Sequence, residues 1–202
     1  MGQLHSQPGP HAVHLCIDMQ RLFEPGAPWA TPWMNRVLPW IVELARHAPE
    51  RAVFTRFIPP RSKHDARGIW RAYYEKWECV TREQLDPGLL ELVPALAAYV
   101  PPAAVVDRQV YNAFGNGRLH AHLHTLGVDT IIVSGGETDV CVLATVLAAV
   151  DIGYRVIVAE DALCSSSDRS HDALLRLYAE RFSLQIEVTS TTDILRMWRL
   201  DD

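Results

Sequence analysis

No stretch of this sequence is apolar for long enough to cross a bilayer, and the opening residues, Met1 to Pro10, lack the basic-then-apolar order of a secretory signal. These absences leave a cytoplasmic protein as the expectation, with no membrane among its partners. An excess of positive charge is missing too. Nineteen Lys and Arg stand against 24 Asp and Glu, a formal charge of −5, and the cations are scattered. Nucleic acid therefore has no electrostatic footprint here, and small molecules are the expected partners. Cysteine is scarce. Cys16, Cys79, Cys141 and Cys164 are far apart, form no CxxC pair, and lie in or beside apolar runs, so reduced thiols are expected rather than a disulfide framework. Internal repeats and low-complexity tracts are also absent.

What is present is the composition of one globular domain: 202 residues, 49% hydrophobic and 21% charged. Residues 1–11, polar and rich in Pro and Gly, read as a flexible lead-in, and 12–202 as a single domain. Apolar, β-branched runs predict strands at 12–17, 52–56, 103–107, 130–134 and 155–159, with a last edge strand at 184–188. Helical spacing predicts helices over 33–47, 87–99, 118–126, 169–182 and 191–200, and one that Thr138 and Asp139 start and Gly153 closes. Strands and helices alternate, with connections too long for hairpins. The expected fold is a doubly wound α/β three-layer sandwich around a mainly parallel sheet.

The informative stretch runs from Thr130 to Val150. An apolar strand reaches Ser134, Gly135-Gly136 stop it, and a helix follows with Cys141 in its first turn. Unpaired N–H groups and the positive dipole end favour the thiolate there, so Cys141 is expected to be a nucleophile with a lowered pKa. Asp18 follows the first strand and Arg108 the third. In a doubly wound sheet the carboxyl ends of the strands share one edge, so a carboxylate, a cation and a thiol from three strands converge. Together they suit covalent acyl transfer. Asp18 takes the thiol proton and returns it to the leaving nitrogen, Arg108 holds the negative charges, and N–H groups of the 137–141 turn meet the oxyanion.

With Ile17-Asp18-Met19-Gln20, Val110-Tyr111-Asn112-Ala113-Phe114, Gly136-Glu137-Thr138-Asp139-Val140-Cys141-Val142, Gly153-Tyr154 and Glu160-Asp161-Ala162, the chain resembles the isochorismatase-like cysteine hydrolases. That superfamily includes nicotinamidases and N-carbamoylsarcosine amidohydrolases. The resemblance implies Asp18 as general base, Cys141 as nucleophile, and a cis peptide between Gly136 and Glu137. It also implies that the Glu137 and Cys141 amides form the oxyanion hole, and that the protein is a homodimer or homotetramer. Arg108 departs from the family's lysine. It keeps the charge but cannot act as a proton donor near neutral pH. Asn112 likewise replaces Ser or Asp.

The metal cluster of nicotinamidase-type members, Asp-x-His with a further His after the second strand, is missing where this chain reads Thr55-Arg56-Phe57-Ile58-Pro59-Pro60. His120 and His124 are spaced for one helix face but have no third ligand in view, so neither metal nor cofactor is expected. His171 reads as a packing residue. Phe23, Trp29, Trp33 and Tyr111 adjoin the catalytic strand ends and form either an aromatic substrate pocket or core packing. In the insertion over 58–86, Trp70, Tyr73, Tyr74 and Trp77 fall on one helical face, which packs on the core or on a second subunit, or lines the substrate. The leading expectation is a metal-independent cysteine hydrolase that cleaves an amide or other C–N bond through an acyl-cysteine. The alternatives are an ester or thioester hydrolase, or an impaired family member that binds a ligand or partner.

Overall fold

The computed structural model describes residues 4–201. Six strands, β1 (Ala12–Ile17), β2 (Ala52–Phe57), β3 (Ala104–Arg108), β4 (Thr130–Gly136), β5 (Arg155–Cys164) and β6 (Ile186–Thr189), form one all-parallel sheet in the order β3-β2-β1-β4-β5-β6. The helices are α1 (Met34–His47), α2 (Trp70–Lys76), α3 (Pro94–Ala97), α4 (Arg118–Thr125), α5 (Leu143–Ile152), α6 (Asp168–Arg181) and α7 (Thr191–Met197).

Side-chain parity along the strands sorts the core into two layers. Ala12, Cys16, Phe54, Ile132 and Ile157 face one side, where Met34, Ile41 and Leu44 of α1, Leu96 of α3 and Ile194 of α7 pack. Their alternate neighbours Val13, Leu15, Ile17, Ile131, Val133, Val156 and Val158 face the other, covered by Leu119 and Leu123 of α4, Val146 and Ala149 of α5 and Tyr178 of α6. This is the doubly wound three-layer sandwich expected. No helix among the described residues is long and apolar enough to cross a membrane.

Four elements differ from the sequence expectations. The helix expected over 87–99 is broken into a 3-10 turn, Pro87–Leu90, and the single turn of α3. Between them Leu92 bridges antiparallel to Gln20 and the Val93 N–H donates to Met19 O at 3.0 Å, while Pro94 has no N–H with which to continue a helix. Gly135 and Gly136 do not stop β4; they belong to it. Gly135 has a φ of +104°, and a Cβ there would lie 2.1 Å from Ile17 O. Glycine is thus what lets β4 close on β1. The helix expected from Thr138 opens as a π turn, with Val142 N–H donating to Glu137 O and Leu143 N–H to Thr138 O, before α5 begins. β5, expected to end at Ala159, bulges and then resumes pairing with β4 through Leu163 and Cys164.

Residues 4–11 are tied to the body. His5 N–H donates to Glu187 Oε2 at 2.7 Å, Arg155 Nη2 to Ser6 O at 2.7 Å, Arg199 N–H to Pro8 O at 2.9 Å and Trp198 Nε1 to Gly9 O at 3.2 Å. Residues 1–3 of the lead-in lie outside the described residues.

Candidate active site

The chain runs β1, β2, β3 outward to one edge, then returns to pair β4 on the other side of β1. The switch point lies between β1 and β4, and there the carboxyl ends of an open α/β sheet leave a crevice. Asp18 leaves the end of β1 with a φ of +50°, the one positive φ outside glycine among the described residues. Aspartate tolerates this left-handed backbone better than most side chains. The carboxylate is buried and points towards β2, where Thr55 Oγ1 donates to Asp18 Oδ1 at 2.6 Å and accepts from the Asp18 N–H at 3.1 Å. Gln20 clamps the same corner. Its Nε2 donates to Phe57 O at 3.1 Å and Leu90 O at 2.8 Å, and its Oε1 accepts from Phe57 N–H at 2.7 Å.

Arg108 starts two strands away from Asp18, roughly 10 Å at ordinary strand spacing. Its long side chain crosses β2 over the Phe57 ring, 5.2 Å from the centroid, and donates through Nη2 to Asp18 Oδ2 and through Nη1 to Val110 O. The side chain is fully buried, and its Nε has no hydrogen-bond partner. Cys141, 6% exposed, lies close enough to the Asp18 carboxylate and the Arg108 guanidinium for both to act on its thiol. The three residues expected to converge do so.

The charge state differs from the expectation. Burial pushes the Cys141 thiol up, and the Asp18 carboxylate pushes it further, against the downward pull of Arg108. Burial also raises Asp18 above the ordinary carboxylate value, although Arg108 and Thr55 pull it down. The lowered thiol pKa expected from a helix terminus is therefore reversed. In the resting site the guanidinium is already engaged by Asp18, and desolvation of a buried sulfur outweighs the turn's dipole.

The turn that presents Cys141 is held from outside. The Gly136–Glu137 peptide is cis, and the Glu137 N–H donates to no acceptor among the described residues. Glu137 Oε1 accepts from Ser166 N–H at 2.9 Å, Asp139 Oδ1 from Ser165 Oγ at 2.7 Å, and Thr138 Oγ1 donates to Cys164 O at 3.1 Å. Thr138 Oγ1 also shares a 2.8 Å hydrogen bond with His171 Nδ1. Three consecutive side chains of the turn are thus fastened to the end of β5, to the loop that follows it and to α6.

Above Cys141 lies a pocket of about 400 Å³ lined by aromatic rings together with Glu137, Val140 and Ser166. Phe23, Trp29 and Tyr111 line it, as one sequence reading had it. Trp33 does not; it packs edge-on against His171 with centroids 4.9 Å apart. The aromatic face of the insertion divides. Tyr73 and Trp77 line the pocket, Tyr74 is buried, and Trp70 and Tyr74 border a neighbouring groove.

A family model described as the isochorismatase domain matches residues 12–193. The chain belongs to the isochorismatase family. Like its relatives it is a hydrolase. Nicotinamidase 3 of Arabidopsis thaliana is 30% identical to it over 179 residues, covering 87% of this chain and 84% of the relative. Maleamate amidohydrolase of Pseudomonas putida is 29% identical over 172 residues, covering 80% of this chain and 76% of the relative. A solved cysteine hydrolase from Pseudomonas syringae pv. phaseolicola superposes with a TM-score of 0.83 at 25% identity, covering 98% of this chain and 97% of the other.

The donor set does not fit the metal that some isochorismatase relatives hold. Thr55 is bonded to Asp18, Phe57 is a pocket wall, and no group of three His, Cys, Asp or Glu gathers among the described residues. His120 shares a 3.1 Å hydrogen bond with Tyr154 OH instead. Sequence reasoning missed Thr55, Gln20 and Phe57 as parts of this isochorismatase site. The available signal for Thr55 and Phe57 was parity, since both fall at the carboxyl end of β2, next to Asp18, which follows β1.

Proposed function

We propose that this hydrolase cleaves the amide C–N bond of a small molecule through an acyl-cysteine, without a metal. The observation that carries the reading is that Cys141, which lines the pocket, lies close enough to the buried Asp18–Arg108 pair for both to act on its thiol. Two relatives named for amide hydrolysis support the bond type.

The raised thiol makes proton transfer part of the attack. As Cys141 Sγ bonds to the carbonyl carbon, its proton passes to the Asp18 carboxylate, so a free thiolate need not accumulate. The tetrahedral oxyanion takes the Glu137 and Cys141 N–H groups as donors. Collapse breaks the C–N bond, and Asp18 returns the proton to the leaving nitrogen. Asp18 then takes a proton from water as it attacks the thioester; the acid leaves, and the proton goes back to sulfur. Arg108 stays cationic throughout and offsets the negative charge shared by Asp18 and Cys141.

Denaturing mass spectrometry after incubation with pooled primary amides tests this. The expected result is an acyl adduct on Cys141, and turnover lower by about a thousandfold or more in Cys141→Ala. Turnover that survives Cys141→Ala would remove the covalent route.

A further inference from the structure

The pocket above Cys141 has a character that amide hydrolysis alone does not require. Trp29 is its hub, with ring centroids 5.9 Å from Phe23, 5.7 Å from Phe57, 6.1 Å from Tyr73 and 6.3 Å from Trp77. Phe57, Tyr73 and Trp77 stand at 70°, 58° and 78° to it, so these rings of the lining meet Trp29 at steep angles and do not stack on it. Tyr73 and Tyr111 lie close enough to Cys141 and Glu137 for both to act on their phenols. Glu137 is the one charged side chain in the lining, held by the Ser166 N–H, and no Lys, Arg or His lines the space. Arg108 is fully buried beneath and already bonded to Asp18 and Val110. Lys76 Nζ sits 5.6 Å from the Trp77 ring but is not part of the lining.

We propose that the acyl portion of the substrate carries a compact organic cation, of the alkylated ammonium class, held in this aromatic pocket against the Glu137 carboxylate. The proposal rests on the amide-hydrolase reading. Aromatic faces are the negative part of the ring quadrupole and attract a cation most strongly when both are shielded from water. Glu137 adds the opposing full charge. A carboxylate in the same space would face ring electrons and Glu137 with no free cation to pair, so an anionic acyl group is disfavoured. Glu137 also offers its N–H to the oxyanion, which sets the ammonium only a short linker from the reacting carbonyl.

Three small amides of the same length separate the charges: glycine betaine amide, its neutral isostere tert-butylacetamide, and anionic malonamate. Binding to Cys141→Ala protein, read by calorimetry and by tryptophan fluorescence, needs no turnover. The expected result is glycine betaine amide bound about tenfold or more tighter than tert-butylacetamide, with malonamate weakest. In Glu137→Gln the ratio of the first two should fall by most of that factor; if that variant does not fold, the three ligands on the Cys141→Ala protein decide alone. Equal binding of the isosteres, tighter binding of malonamate, or no binding of the ammonium amide in the millimolar range would overturn the cage. With Cys141 intact, cation-selective binding without an acyl adduct or turnover would leave the cage standing and remove the acyl-cysteine amidase reading.

Discussion

Under the pocket floor Arg108 faces a carboxylate and a thiol at once, and a change in one partner is felt by the other. Burial raises the Cys141 thiol most; Asp18→Asn removes the anion that raises it further and leaves burial alone to oppose the pull of Arg108. Two rates should then move in opposite directions. Alkylation of Cys141 by iodoacetamide at neutral pH rises by about tenfold, while amide turnover falls by roughly 10²–10⁴ because the proton acceptor is gone. A parallel fall in both rates, measured with mass-spectrometric site assignment, would show that Asp18 does not set the thiol's charge. Arg108 itself answers to size as well as charge. Arg108→Met leaves the buried Asp18 without its cation and should lower stability by about 3–5 kcal/mol in urea unfolding, a large share of the roughly 5–15 kcal/mol of a domain. Arg108→Lys keeps the cation and should retain activity within about tenfold, losing the second arm to Val110 O. Asp18, Arg108 and Cys141 were legible because each follows a strand in the sequence. The thiol's protonation was not, because it depends on burial and on how one guanidinium is shared.

The catalytic turn is shaped by what touches it rather than by its own helix propensity. Thr138 and Asp139 look like helix starters in sequence, yet their side chains reach across to Cys164 O, His171 and Ser165. Those ties hold a π turn where a regular first turn was expected, and no local periodicity encodes bonds to residues some 26 positions away. The same blindness affected the two glycines of β4, which read as a stop and serve as contact points. They predict different outcomes. In Gly135→Ala the new Cβ meets Ile17 backbone at 2.1 Å on a residue with φ of +104°, and no side chain can move to relieve it. That variant should fail to reach the native state, as circular dichroism and near-ultraviolet spectra would show. In Gly136→Ala the Cβ meets Cys164 Sγ at 2.9 Å, a clash with one side-chain atom. It should cost about 1–3 kcal/mol, and Cys164→Ala in the same chain should recover much of that loss, a coupling that a double-mutant cycle measures directly. Strict additivity would mean the clash is absorbed elsewhere.

Across the whole molecule, the sheet puts two shifted carboxylates far apart and gives them opposite signs. Asp18, at the central switch point, is raised above its ordinary 3.8 by burial. Glu187, on the edge strand β6, is also opposed by burial, but Arg155 and the His5 N–H outweigh that and lower it below 4.5. Glu187 with Arg155 also fastens the lead-in, through Ser6 O and His5, to the far side of the sheet from the pocket. The composition of residues 4–11 suggested a loose end because their partners, residues 129 to 199, are distant in sequence. Linkage then orders what acid does. The stabilising effect of Glu187 is present above its unfolded pKa and is lost only as pH falls through its lowered folded value. Protonating Asp18, whose folded value is raised, begins at higher pH and stabilises the folded state on its own account while it removes the base. On acidification, kcat/KM for an amide substrate should therefore fall first, reversibly, while the urea midpoint holds, and the midpoint should drop only at lower pH. Glu187→Gln should lower the midpoint near neutral pH and flatten its acid limb without moving the pH profile of kcat/KM. If activity and midpoint instead decline together in the native protein, loss of the fold and not protonation of Asp18 accounts for the acid limb.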